Sequence, residues 1–279
     1  MIKIIDIDAL FDKYISDYVY KNIGKVKPEE IENNIPKLYE KFGKEKLSEL
    51  DGLTPETFYI EYSAKELLDC LEGHIEKGVA VSDFLCEALM TKKDSEKDFL
   101  LALDTAKNDE FIVYIMNILS SMDIIPAPRY FEYIVLNYPE DISELATELL
   151  SKRADQVKDL ILSQFADLDD IKKERFCEVL SYASKDDKVF DLLVLEFVKN
   201  KKKAYIYAGY LARYGDERAL PFLLTAIEEP KITYSDFEEI RFAIEALGGE
   251  YKKERDFTKD LSYKKIKGEE RKAKRVKTE

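Results

Sequence analysis

Few residues in this chain are of types that do chemistry. His74 is the only histidine among 279 residues. With Glu66 and Cys70 it stands at i, i+4 and i+8, which places the three on one side of a helix. A Cys–His pair can act as nucleophile and base, or supply two ligands to a metal ion. A closed zinc site wants four ligands, and no nearby Cys or His completes one. The competing reading is a small buried cysteine at the edge of a Leu67, Leu71 and Ile75 stripe, with His74 half exposed. The sequence leaves the two open. "DLDDIKKERFCE" (167–178) has acids at the first, third and twelfth positions of a calcium loop, but Ile171 stands where an oxygen ligand belongs and Lys172 where the turn glycine belongs. It reads as a loop and a capped helix. Gly215-Asp216 invites comparison with a phosphate loop. Such a loop gathers several glycines ahead of a helix, whereas a single glycine stands here before a carboxylate that would repel phosphate. The simpler account is that Gly215 ends one helix in a left-handed conformation and Asp216 caps the next, with Pro221 costing that helix one backbone bond or bending it. No catalytic residue, metal site or cofactor is assigned.

Binding anchors are better represented than catalysts. Tyr205, Tyr207, Tyr210 and Tyr214 crowd one helical stretch behind Lys201–Lys203. Tyr207, Leu211 and Tyr214 fit its packing stripe, which turns Tyr205 and Arg213 outward. Tyrosine and arginine bring large contact area with few rotors. The candidate binding residues are therefore Tyr205, Tyr210 and Arg213, with Arg241 on the following helix.

The elements that would carry these residues are helical throughout. Apolar residues recur at three- and four-residue spacing without sustained alternation. Ten glycines and eight prolines are too few for the turns of an all-β fold. Ser63/Glu66, Asp141/Glu144 and Ser235/Glu238 have capping-box spacing, and Thr54-Pro55 offers a cap followed by proline at the first helical position. "DQVKDLIL" (155–162), "DKVFDLLV" (187–194) and "DERALPFLL" (216–224) superpose with Val157, Val189 and Leu220 in register, 32 and 31 residues apart, each followed by a second amphipathic helix. Looser pairs precede them, at 64–77 with 81–91, 96–106 with 109–121, and 128–138 with 141–152. A period near 30 residues built from paired helices marks an α-solenoid of about six hairpins, because one pair cannot bury its apolar face alone.

"YGDERALPFLL", with "AYIYAGYLAR" before it and "IRFAIEALGG" (240–249) after it, resembles the HEAT-like repeats of the bilin-lyase type. The match is specific over 186–249, degenerate over 63–185 and absent before 63. The resemblance implies an all-α, α-α superhelix whose second helices line a concave surface used mostly for binding proteins. The expected organisation is an atypical N-terminal helical cap over 1–62, the solenoid over 63–250 and a basic, disordered tail over 251–279. HEAT-like folds also include DNA-repair glycosylases, which use a basic face with tryptophans; this chain has no Trp. Di-iron hydroxylases need repeated His–Glu pairs that one histidine cannot supply, and nothing supports a bilin lyase. "IKIIDIDALF" resembles the strand and Asp-x-Asp of haloacid-dehalogenase phosphatases, but no alternating strands follow.

Charge separates the remaining classes. Residues 251–279 hold 12 of the 44 basic and 6 of the 57 acidic residues, so residues 1–250 carry a charge of −19. A body of that sign repels nucleic acid and anionic lipid. The longest apolar run, near Phe111–Leu119, is too short for a membrane span. Asp6, Asp8 and Asp12 interrupt any signal-peptide core, and three widely spaced cysteines read as reduced thiols of a cytoplasmic protein. The expected function is a non-catalytic scaffold binding a protein or peptide, with a nucleic-acid enzyme as the alternative.

Overall fold

Helices form wherever the apolar spacing predicts them. The computed structural model describes residues 2–22 and 28–276, with backbone alone at 28–30 and 269–276, and no strand occurs among them. The chain divides between Pro126 and Ala127 into two compact units, inside the stretch expected to be one continuous solenoid.

The first unit holds α1 (Ile7–Asn22), α2 (Pro28–Phe42), α3 (Pro55–Phe58), α4 (Ala64–Glu76), α5 (Asp83–Met90), α6 (Glu96–Thr105) and α7 (Asp109–Ser121). Helices α4/α5 and α6/α7 are the first two expected hairpins; α4 packs on α6 and α5 on α7. Rings join α1 and α2 to this pair: Phe11 lies 4.8 Å from Tyr39 and 5.2 Å from Phe42, and Tyr39 stacks on Phe84 at 5.1 Å. No sheet follows Asp6 and Asp8. Asp6 accepts from the Ala9 amide at 2.8 Å and serves the start of α1.

The second unit holds α8 (Ala127–Val135), α9 (Glu140–Ser151), α10 (Ala154–Gln164), α11 (Asp170–Leu180), α12 (Asp187–Lys199), α13 (Ala204–Tyr214), α14 (Leu220–Ala226), α15 (Tyr234–Ala246) and α16 (Leu261–Val276). These form four hairpins and a terminal helix. Within the unit the second helices pack in succession, α9 on α11, α11 on α13 and α13 on α15, with α16 against α15.

Polar contacts between successive turns lock the hairpins. Asp155 accepts from the Ser184 amide at 2.9 Å and from its hydroxyl at 2.5 Å. Asp187 makes the equivalent reach one repeat later, to Arg218 at 2.9 Å. These two repeated aspartates therefore bond forward and do not cap their own helices; Asp186 caps α12, accepting from Lys188 at 2.8 Å. The Tyr214 hydroxyl accepts from the Asp186 amide at 2.6 Å and donates to its carbonyl at 3.0 Å, and Lys185 donates to the Tyr214 carbonyl.

Gly215 is left-handed (φ 74°) and its amide closes α13 on Leu211, while Asp216 caps the following turn. That turn is a 3₁₀ segment over Glu217–Ala219, so Pro221 falls in the first turn of α14. It therefore costs the helix no backbone bond, because no intrahelical partner awaits its missing N–H. At the register position of Val157 and Val189 the buried residue of this repeat is Ala219, one place before the Leu220 expected from superposition. The capping boxes divide. Ser63/Glu66 forms in full and Thr54-Pro55 caps α3. Asp141 lies inside α9, which starts at Glu140 after Pro139, and α15 is capped by Thr233, two residues before Ser235.

Residues 251–268 are not a disordered tail. Tyr251 and Phe257 pack against Phe237 at 5.7 and 5.0 Å, and Tyr263 against Tyr234 at 4.9 Å. Arg255 donates to the Ile227 and Glu229 carbonyls at 2.8 and 3.0 Å, capping the C-terminal end of α14. The rest of the expected tail continues as α16, and residues 277–279 lie outside the described residues, as do 1 and 23–27 of the expected N-terminal cap.

Two outcomes follow from the turn contacts. Tyr214→Phe removes both hydroxyl bonds and is expected to lower stability by about 1–2 kcal/mol, read as a fall in urea midpoint at unchanged m-value. Hydrogen bonds from Ser184, the Lys188 amide and Arg218 hold the Asp155, Asp186 and Asp216 carboxyls below their usual range. Carboxyls depressed in the folded state stabilise it fully above the unfolded value near 4 and lose that contribution as pH falls through the folded one. The urea midpoint should therefore drop steeply below about pH 4, and less steeply in Asp155→Asn.

Candidate binding surface

Glu66, Cys70 and His74 do not make a reactive group. The Glu66 carboxylate is turned back to the Ser63 amide at 2.9 Å and hydroxyl at 2.7 Å. His74 is fully buried instead of half exposed. Its Nδ1 lies 2.8 Å from the Cys70 carbonyl and its Nε2 3.2 Å from the Ile5 carbonyl, so the ring ties the N-terminal segment to α4. The Cys70 sulfur, 3.6 Å from Nδ1, is enclosed, and burial pushes its thiol up to about 11. Burial does the same to Cys86, and Cys177 is also raised well above the usual thiol range. Such thiols are poor nucleophiles. Asp169 of the calcium-like stretch caps α11 through the Lys172 amide at 3.0 Å. Among the described residues no group of three His, Cys, Asp or Glu side chains is placed to hold a metal ion.

The exposed side of the second helices in the second unit is a different environment. Helix α13 packs against α11, α12 and α15, which leaves one side free, that of Tyr205, Gly209 and Arg213. Tyr207, Leu211 and Tyr214 are buried as their stripe predicts. Tyr205 is 40% exposed. Arg213 also faces outward but is engaged: it lies over the Tyr182 ring at 4.5 Å, 5.9 Å from the Tyr210 ring, and donates to Ser181 at 3.2 Å. Arg241 is held on α15 by Glu238 at 2.6 Å and by Glu245 at 3.8 Å. Tyr210, the remaining candidate on this helix, is only 8% exposed. It sits at the edge where α13 meets α11.

A groove of about 420 Å³ opens there, lined from α9 by Glu140, Glu144, Thr147 and Glu148, from α11 by Ile171, Glu174, Arg175 and Glu178, and by Lys203 and Tyr210. Five carboxylates face two cations. Arg175 pairs with Glu140, and Lys203 with Glu174 at 2.5 Å. Glu148 has Lys152 at 3.3 Å, whereas Glu144 and Glu178 have no ion pair among the described residues. Burial, and then the nearby Glu178 and Glu174, raise the Tyr210 phenol above its ordinary range.

Sequence reasoning missed Glu144, Glu178, Ile171 and Gly209. A signal was present: Glu140, Glu144 and Glu148 repeat at i, i+4 and i+8, and Glu174 and Glu178 at i, i+4. Like charges at that spacing weaken an isolated helix. Gly209 stands in mid-helix, and no protein atom lies within 4 Å of where its Cβ would be. Packing inside the chain therefore does not require it.

Comparison of the chain with family models, with curated proteins and with solved structures finds no match. No helix among the described residues is long and apolar enough to cross a membrane.

The thiols provide a check on the buried cluster. With values near 11, about one Cys70 or Cys86 in a thousand is thiolate at pH 8. The native chain is expected to react with a thiol reagent far more slowly than the urea-unfolded chain; rapid labelling of Cys70 in the native state would contradict this geometry.

Proposed function

We propose that the chain is a HEAT-like helical-repeat scaffold, without catalytic activity, that binds a protein or peptide partner on the exposed side of its second helices. The observation that carries this reading is the row of large apolar side chains left in solvent on consecutive second helices. Ile171 is 66% and Tyr182 50% exposed on and just after α11, Tyr205 is exposed on α13, and Phe242 is 57% exposed on α15. Isolated exposed apolar residues are ordinary, and what supports the reading is that these recur on three successive second helices that pack on one another. Gly209 lies bare between Tyr205 and Arg213, where a partner backbone can approach closely at a position that would otherwise favour alanine by about 1 kcal/mol. The HEAT-like assignment rests on the 186–249 motif and on hairpins that pack through successive second helices. Three free cysteines fit a cytoplasmic location.

The acidic body supports a protein partner over nucleic acid. A gel shift with duplex DNA at low salt is expected to show no complex, and tight binding there would overturn the reading. The direct test is affinity capture with mass spectrometry, repeated with Tyr205→Ala and Arg241→Ala, each expected to lose the recovered partner. Gly209→Ala should raise stability by about 0.5–1 kcal/mol while weakening capture. Capture unchanged in all three variants would move the interface elsewhere.

A further inference from the structure

We propose that the pocket at the end of α14 binds a small amphiphilic acid, a compact apolar body carrying one carboxylate.

The pocket originates in the sequence. Helix α14 holds seven residues where α10 and α12 hold eleven and thirteen. Pro230 has no N–H to give a helix, and it draws the residue before it away from helical backbone. The chain turns instead. The Ile232 amide donates to the Glu229 carbonyl at 3.2 Å, with Pro230 second in the turn, where its fixed φ suits a β-turn. Arg255 holds the same stretch through the Ile227 and Glu229 carbonyls. A pocket of about 310 Å³ opens beside this turn, lined by Phe197 and Val198 of α12, Ala204, Ala226, Ile232 and Ile240. Because its own chain fixes the turn, the pocket needs no ligand to form it.

The lining decides the apolar part. Phe197 and Ile240 are buried and form the floor, while Val198 is 49% exposed in the wall. A half-enclosed apolar pocket with a few polar groups is the ordinary form of a small-molecule site, and this volume lies at the lower end of the usual range. An apolar body seated there covers Val198 and removes water from the floor.

The rim decides the polar part. Lys201 is paired with Glu229 at 3.3 Å, Asp236 accepts from the Thr233 hydroxyl at 2.8 Å, and the Thr225 hydroxyl donates to the Pro221 carbonyl at 2.8 Å. Lys231, third in the turn, makes no ion pair or hydrogen bond among the described residues. It is the one charged group of the rim left uncommitted, so the group that completes the site is an anion. Asp236 stands in the first turn of α15, where the helix N-terminus offsets its charge. It still disfavours a second carboxylate on the ligand.

The test titrates the full chain with octanoate and with phenylacetate, read by calorimetry, with octan-1-ol as the uncharged control. Saturable one-to-one binding of at least one acid is expected, weakening as salt rises and severalfold weaker for the alcohol. Lys231→Gln should weaken the acid about 2- to 5-fold and leave the alcohol unchanged. Ala226→Leu fills the pocket and should abolish binding of both at an unchanged urea midpoint; Ala204→Leu serves if the midpoint falls. The assignment is overturned if neither acid saturates, if the alcohol binds as tightly, or if both filled variants bind as before. Tighter binding of acetyl-leucyl-leucine than of either acid moves the source to a protein C-terminus and overturns the small-molecule assignment. This site does not rest on the surface proposed above: a chain that captures its partner and binds neither acid overturns this assignment alone.

Discussion

A helical hairpin cannot bury a two-sided apolar stripe by itself, and everything in the second unit follows from that. Its stripes close only when the next hairpin arrives, so each hairpin is stable only in company. Burial is non-directional and tolerates sliding. The turn contacts supply the direction. Asp155 to Ser184, Asp187 to Arg218, and Tyr214 to Asp186 each join residues 28 to 31 apart in sequence, so they set which turn lies over which and thereby fix the order in which second helices present their outer sides. The exposed side of the stack is a product of register as much as of side-chain identity.

How much of this could be read from the sequence depended on how local the determining interaction was. Helix existence was legible, because a 3.6-residue period reports burial wherever it occurs. The Gly215-Asp216 junction was legible too, since a left-handed glycine and a capping aspartate act within a few residues. Cap positions were less so. Thr233/Asp236 and Ser235/Glu238 offer overlapping signals two residues apart, and the preceding chain path decides between them. Residues 251–263 were illegible for another reason. Their aromatics have no helical period, and Tyr251, Phe257 and Tyr263 find their ring partners far back in the chain, in Tyr234 and Phe237 of α15. Likewise, nothing near Tyr210 in sequence announces that α11 will cover its ring and leave its hydroxyl at the groove.

The candidate chemistry changed in kind between sequence and structure. The single Cys–His pair became a buried tie between the N-terminal segment and α4, and the charged Gly-Asp-Glu-Arg cluster became a helix end with an inter-hairpin ion pair. What stayed open to solvent was a set of apolar and acidic side chains on the second helices, Ile171, Tyr205, Phe242 and the glutamates of α9 and α11 among them.

The segment after α15 also covers the outer side of the last described hairpin. Tyr251, Phe257 and Tyr263 cover the sides of Phe237 and Tyr234, and Arg255 caps the end of α14. The outer side of the last described hairpin is therefore already covered by the chain's own residues, which shield the rings of α15 and the carbonyls at the end of α14 from water.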